Sequence, residues 1–464
     1  MSTPDEPPDA PPGERAVSRR RRTSDWWRSG VAAVARRILK QPDEVEPPDA
    51  APSGAEILAM LRAFAAAQLE VGQPANLVEE SIRTIAKAYG VETVRAVVLP
   101  TVVIIEIEST DGDETEHRTE IEPIRSTDSR LDQAGAIEQL VTEAMAGHLV
   151  PAEAVERIDA VRASDPRFGT FTATVGYVVL CVGFGLSLNP HAAALGAYAA
   201  LGLVVGVLRL IARAVPTLQA ALPVFAAFTV TVITCAFVAG TVGDEPLRII
   251  APSLVTFLPG LTLTVAAVEL TSNQVVAGAS RIVYGTAQLL LLTFGVVVGV
   301  QVAGGLPDTT TGEPLGAWAP FAGVVCVSVG YLLFQSAPPR SLVWLVLALL
   351  VAYVAQRIGG ELFGATLSGF FGALAVVPFT RFAAAFRTAP TSMVMLLAAF
   401  WFLVPGAIGF ISLGEAASGS AAGVQALLTT FLSLFSIALG FLVGTALTRE
   451  VRDLQARTAA RPRQ

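Results

Sequence analysis

Beyond residue 170 the sequence alternates long apolar runs with short polar turns. Ten runs approach or exceed the roughly 20 residues a helix needs to cross a bilayer. They fall at 171–188, 191–213, 218–241, 248–270, 281–304, 316–336, 340–356, 360–380, 391–413 and 423–448. Residues 53–165 follow a different rhythm. Ala55–Val71 and Ala75–Tyr89 have helical periodicity, Val94–Leu99 and Val102–Ile107 are β-branched runs joined by Pro100-Thr101, and Glu116–Ile124 reads as a third strand. Asp132–His148 and Pro151–Ala163 return to helix. The pattern predicts a polytopic α-helical membrane protein with an N-terminal α/β domain.

The rest divides into a tail at 1–52, two five-helix halves at 171–304 and 316–448, and a second tail at 449–464. The first tail carries Pro/Asp/Glu runs of the kind found in disordered chains. Inside it Trp27, Val31, Val34 and Ile38 share one helical face beside Arg28, Arg36 and Arg37, which suits either an interfacial helix or a solvated basic linker.

Composition sharpens the division. The 464 residues are 53% hydrophobic and 15% charged, yet only seven acids lie between Phe171 and Thr448. A soluble core of that length needs far more polar surface. The net charge of −7 therefore says nothing for a nucleic-acid partner. Cys181, Cys235 and Cys326 sit in apolar runs, as small buried hydrophobes rather than a disulfide framework. His117 and His148 are isolated, and Glu79-Glu80 suits a solvated helix face, so no metal, cofactor or enzymatic site is expected.

The first run long enough to span begins near residue 171, which implies no cleaved signal and an N-terminal domain on the synthesis side. On that topology the inner turns hold Arg209, Arg213, Arg281, Arg340, Arg381 and Arg387, followed by Arg449 and Arg452. The outer turns hold only Arg248 and Arg357, with six of the seven acids. Both termini are expected in the cytoplasm.

Two spans are broken by Pro-Gly, at Pro259-Gly260 and Pro405-Gly406, and each is followed by an apolar span with a G-x-x-x-G, Gly295/Gly299 and Gly440/Gly444. The separations are 36 and 35 residues. Proline removes a backbone donor and frees a carbonyl, and lipid can satisfy neither. Paired breaks in two halves point to a transporter's binding site, although Pro, Gly and G-x-x-x-G also serve as plain packing devices. Five spans per half is odd, so a repeated half is inverted, a geometry suited to alternating access.

Near the first break Thr262 and Thr264 follow Pro259 and Gly260. Freed carbonyls there suit a substrate ammonium and a half-helix N-terminus suits a carboxylate; a zwitterion needs both. Threonines more commonly bond back to their own helix. Glu269 is the sole acid at the inner span ends, and Arg281 lies twelve residues on, across a turn with Asn273 and Gln274. An acid at a span end is a candidate for proton coupling, with Glu361 a second; the bland role for Glu269 is an interfacial carboxylate. In the second half Trp401 stands beside Pro405 and Gly406, while Pro378 is a further break residue and Arg381 a topology anchor. Gln288 and Gln301 read as interhelical glue.

At these residues the chain resembles the bacterial threonine/serine exporter family. The stretches are Val78–Val91, Arg125–Phe168, Glu245–Gly295 and Gly372–Ile411. The most specific is FLPGLTLTVAAVELTSNQVVAGASRIVYG, and FWFLVPGAIG matches the second repeat. Ser272-Asn273 departs from the small residue and glycine the family carries after Glu269. The resemblance implies ten spans, a cytoplasmic N-terminal domain, and export of L-threonine and L-serine driven by the proton motive force. Related proteins are linked to dicarboxylate export, which is the nearest rival. A membrane sensor is a further alternative, and an ATP-driven pump lacks its G-x-x-x-x-G-K-[ST] loop. Partners on this reading are the amino acid, protons and lipid, and a homo-oligomer is compatible with it.

Overall fold

The computed structural model describes residues 52–111, 114–124, 130–306, 313–403, 410–414 and 421–459. Pro405, Gly406 and the basic stretch around Trp27 lie outside the described residues.

The described residues open with helices α1 (Gly54–Glu70) and α2 (Ala75–Ala88). Ser53 starts α1 with a reciprocal cap: its hydroxyl accepts from the Glu56 amide while the Glu56 carboxylate accepts from the Ser53 amide. That contact holds the Glu56 carboxyl below its ordinary range. Strands β1 (Val94–Leu99), β2 (Val102–Asp111) and β3 (Glu114–Pro123) form an antiparallel meander in the order β1-β2-β3. Alternate residues Val103, Ile105 and Ile107 are fully buried, and β2 lies against α1, as the two-residue period of a strand requires. Helices α3 (Leu131–Met145) and α4 (Pro151–Ala163) complete this region. Arg162 of α4 ties back to Glu70 of α1 at 2.9 Å. The Tyr89 hydroxyl donates to the Leu149 carbonyl at 2.6 Å, and burial raises its pKa.

The apolar part begins with α5 (Thr170–Ser187), α6 (Ala194–Ala214) and α7 (Pro216–Ile233), which runs on through a π turn at Thr234–Val238. Then come α8 (Pro246–Ser253), a 3-10 turn at Val255–Phe257, α9 (Gly260–Thr271) and α10 (Val275–Val302). Helices α11 (Ala319–Phe334), α12 (Leu342–Phe363), α13 (Ala365–Ala383), α14 (Ser392–Leu403) and α15 (Ala421–Ala459) follow. Among the described residues seven helices are long and apolar enough to cross a membrane, and α8 with α9 makes an eighth as a bent pair. The other two expected spans appear among the described residues as shorter apolar helices, α11 and α14. The protein is a multi-pass α-helical membrane protein. Large apolar side chains such as Val283, Tyr284, Phe294 and Leu362 stay exposed, as helices facing lipid tails require.

Both G-x-x-x-G pairs make close contacts. A Cβ on Gly295 would lie 2.6 Å from the Val224 carbonyl of α7, and one on Gly299 would strike Thr231. Gly440 and Gly444 of α15 approach Phe370 and Val377 of α13 in the same manner. In both helix pairs, α10 on α7 and α15 on α13, two glycines let the backbones meet.

Candidate functional site

Pro259-Gly260 forms one edge of a larger break. Helix α8 stops at Ser253, the chain makes a single 3-10 turn, and α9 restarts at Gly260 with Pro259 as its N-cap. The two arms meet at 71°. Pro252 and Pro259 each remove a donor from the ladder, so neighbouring carbonyls need other partners. The buried Tyr177 hydroxyl donates to the Ser253 carbonyl at 2.6 Å, and Gln288 Nε2 donates to the Phe257 carbonyl at 2.9 Å. Gln288 is thus the interhelical glue its position suggested. Arg209 of α6 donates to Thr256 Oγ1 at 3.0 Å, its guanidinium stacked over the rings of Phe334, Tyr177 and Phe257. The break is a braced structure.

Beside it lies a cavity of about 430 Å³, within the usual range for small-molecule sites. Gly260 and Leu261 edge it from the first half, and Trp401, Phe402 and Leu403 from the second. Its polar lining comes from Ser187, Gln356, Ser368, Thr429, Thr430 and Ser433, and no described lining residue carries a charge. Ser187, Ser368, Thr429 and Ser433 donate their protons to carbonyls of their own helices at 2.6–3.1 Å. Their oxygens therefore offer lone pairs to an occupant. The first amides of α9, whose Gly260 and Leu261 line the same cavity, have no carbonyl within their helix to serve and so favour an anion. The lining thus offers both hydrogen-bond acceptors and hydrogen-bond donors. Ser187 and Leu188 end α5, whose start follows the N-terminal domain, so the cavity sits in the half of the bundle away from that domain.

Among the proposed substrate residues, Gly260 and Trp401 line the cavity, and Pro259 is buried as the N-cap of α9. Thr262 is half-buried and outside the lining, while Thr264 is fully buried with no partner for its hydroxyl. The proposed coupling residues separate. Glu361 is exposed and paired with Arg357 one turn away at 2.9 Å. Glu269 is fully buried and accepts from Arg281 Nε through both oxygens at 3.1 Å, and from the Ala75 amide at 3.0 Å. It meets the N-terminal domain at the first residue of α2, where helix dipole and carboxylate attract. Asn273, at the departure from the family pattern, adopts φ +65°, a conformation glycine favours and asparagine tolerates.

Several residues here escaped the sequence reading. Ser187, Gln356, Ser368, Thr429 and Ser433 come from four separate helices, each an ordinary polar residue in an apolar run. Glu138 accepts from Ser392 Oγ at 2.6 Å and the Met393 amide at 2.7 Å, capping α14 from the N-terminal domain. Only the 254-residue separation hid it. Arg209 carried a faint signal as an arginine one turn inside a span end.

Comparison with known proteins adds the rest. Pheromone-regulated membrane protein 10 of Kluyveromyces lactis is 31% identical over 116 residues, 24% of this chain and 12% of that protein. Its namesake from Zygosaccharomyces rouxii is 30% identical over 116 residues with the same coverage. The chain thus spans 12% of the length of these curated relatives. No solved structure matches. The ThrE model, described as threonine/serine exporter, matches residues 60–303, which run from within α1 to the end of α10 and include the whole braced break. That match covers more than half of the chain, which belongs to the ThrE threonine/serine exporter family.

Proposed function

We propose that this protein is a secondary transporter that exports small hydroxy amino acids, L-threonine and L-serine, across the cytoplasmic membrane at the expense of the proton gradient. One observation carries the reading: hydroxyl acceptors and the amide end of α9 line the same cavity, with no charge among its described lining residues. An α-amino acid fits that polarity, its carboxylate at the α9 amides and its ammonium and side-chain hydroxyl among the acceptors of Ser368, Thr429 and Ser433. A dicarboxylate would set its second carboxylate against oxygen lone pairs with no cation in the described lining to offset them. The similar packing of α10 on α7 and α15 on α13 supports an inverted repeat, with Pro405 and Gly406 as the second half's counterpart of Pro259 and Gly260.

Glu269 is the proposed coupling carboxylate. Buried under the Ala75 amide, it meets water only when the N-terminal domain withdraws, a position from which protonation and domain movement are linked. Glu361, open to solvent, is the second candidate. The arginine distribution supports a topology with both termini in the cytoplasm.

The test is flux in proteoliposomes carrying an imposed pH gradient, with labelled threonine, serine and succinate. Gradient-dependent movement of the two amino acids is the expected result. Movement of succinate alone would favour the dicarboxylate reading, and no flux of any would favour a sensor.

A further inference from the structure

Between α1 and α2 the chain turns at Val71–Gln73, with Gly72 at φ +82° and hydrogen bonds from the Gly72 and Gln73 amides back to Leu69 and Gln68 at 3.0 Å. This turn enters the bundle. A Cβ on Gly72 would lie 3.9 Å from Leu261 Cδ2 and 4.0 Å from Leu397 Cδ2. Leu261 follows the first break, and Leu397 sits on α14, the helix that leads to Trp401. Leu261 also lines the cavity, so a single side chain separates the turn from the cavity.

The same domain is bonded to both of those helices. Glu269 of α9 accepts from the Ala75 amide, and Gln274 Nε2, just beyond α9, donates to Glu79 at 2.7 Å. Glu138 of α3 accepts from Ser392 and Met393 at the start of α14, and the Leu131 amide donates to the Gln335 carbonyl after α11 at 3.1 Å. Two carboxylates are thereby used in opposite senses: one from the bundle caps a helix of the domain, and one from the domain caps a helix of the bundle. Helices α9 and α14 are among the elements that line the cavity, and both are tied to the domain on its side of the bundle. They cannot separate while one rigid domain holds both.

We propose that the Val71–Gln73 turn is the domain-side gate of the transport path, with Leu261 and Leu397 as its seats and with Glu138, Glu269 and the Glu79–Gln274 pair holding it shut. It rests on reading the cavity as the transport site. The domain must unlatch from α9 or α14 in every cycle for substrate to pass between the cavity and the domain side. The conformation described here is closed at the turn, with the cavity lying beyond it.

Side-specific labelling of the full chain tests this. Cys181, Cys235 and Cys326 are replaced by alanine and Ser368→Cys supplies a thiol in the cavity wall. A membrane-impermeant maleimide is applied to each face of sealed vesicles. The thiol reacts from the far face and is protected from the domain face. Adding Glu138→Ala and Gln274→Ala speeds domain-face labelling by about tenfold or more, the factor that one lost charge-assisted hydrogen bond supplies. Far-face labelling persists and reports an intact fold. Unchanged protection from the domain face, with far-face labelling intact, overturns the gate.

Should those substitutions abolish labelling from both faces, a second variant decides. Glu79→Cys with Gln274→Cys, joined by a short reducible bis-thiosulfonate, must stop threonine exchange and release it on reduction. Exchange that continues through the cross-link overturns the proposal. A protein that moves neither threonine nor serine before cross-linking removes the proposed substrate, while the labelling arm still decides the gate.

Discussion

Glu269→Gln replaces the carboxylate with a group of the same shape that neither titrates nor carries charge. The amide oxygen can still accept from Ala75, so the domain contact is weakened and kept. Arg281 fares worse. Its side chain is 9% exposed, Glu269 is its one ion-pair partner among the described residues, and its Nη2 already has no partner. Removing one member of a buried pair leaves an uncompensated charge, a loss of about 3–5 kcal/mol. Replacing both partners leaves no such charge, so Glu269→Gln with Arg281→Gln should recover at least about half of that loss. The assay is a double-mutant cycle on unfolding in detergent, run beside two transport measurements in proteoliposomes. Substrate exchange without a gradient reports binding and gating; gradient-driven uptake reports coupling. The double variant should exchange serine and fail to concentrate it. Additive losses in the cycle would refute the pair as an energetic unit. Gradient-driven uptake at the normal level in the double variant would remove Glu269 from coupling and leave Glu361 as the residue to test.

Tyr177→Phe deletes the donor to the buried Ser253 carbonyl and should cost about 1–3 kcal/mol in the bent segment, read as a lower melting temperature and weaker serine binding; an unchanged value of both would show that the brace is idle. Ser433→Ala removes one acceptor from the cavity and should raise the KM for serine about 2- to 12-fold, the worth of a single neutral hydrogen bond, with maximal exchange preserved; an unaltered KM would take Ser433 out of the site. Pro259→Ala restores a donor at the α9 N-cap and should impair transport while leaving membrane insertion intact, whereas normal flux would make the break a packing feature. Reporter fusions at either end should report the cytoplasm, and an outside signal from either would undo the topology.

Long apolar runs were legible because lipid imposes a length on any helix that crosses it, and that length shows in one dimension. The break at Pro259 was legible for a similar reason, since proline disrupts a ladder through purely local chemistry. Its extent was less so: the turn at Val255–Phe257 and the end of α8 at Ser253 depend on Tyr177, Gln288 and Arg209, which arrive from other helices. The strands were visible as the β-branched runs Val94–Leu99 and Val102–Ile107, a composition each carries by itself, although the second strand runs on to Asp111.

Tertiary structure alone decided the rest. Sequence spacing suggested that Glu269 and Arg281 meet across a turn, but the third member, the Ala75 amide, lies 194 residues away and turned an isolated carboxylate into a domain latch. Thr264 follows the Pro259 break within five residues, yet it is fully buried and outside the cavity lining. Ser368, Thr429 and Ser433 carry no local mark that separates them from other hydroxyls in apolar helices. Which face of a helix meets a cavity is set by its neighbours. That information is absent from the periodicity of a span apolar on all sides, where the hydrophobic effect no longer distinguishes an inside from an outside.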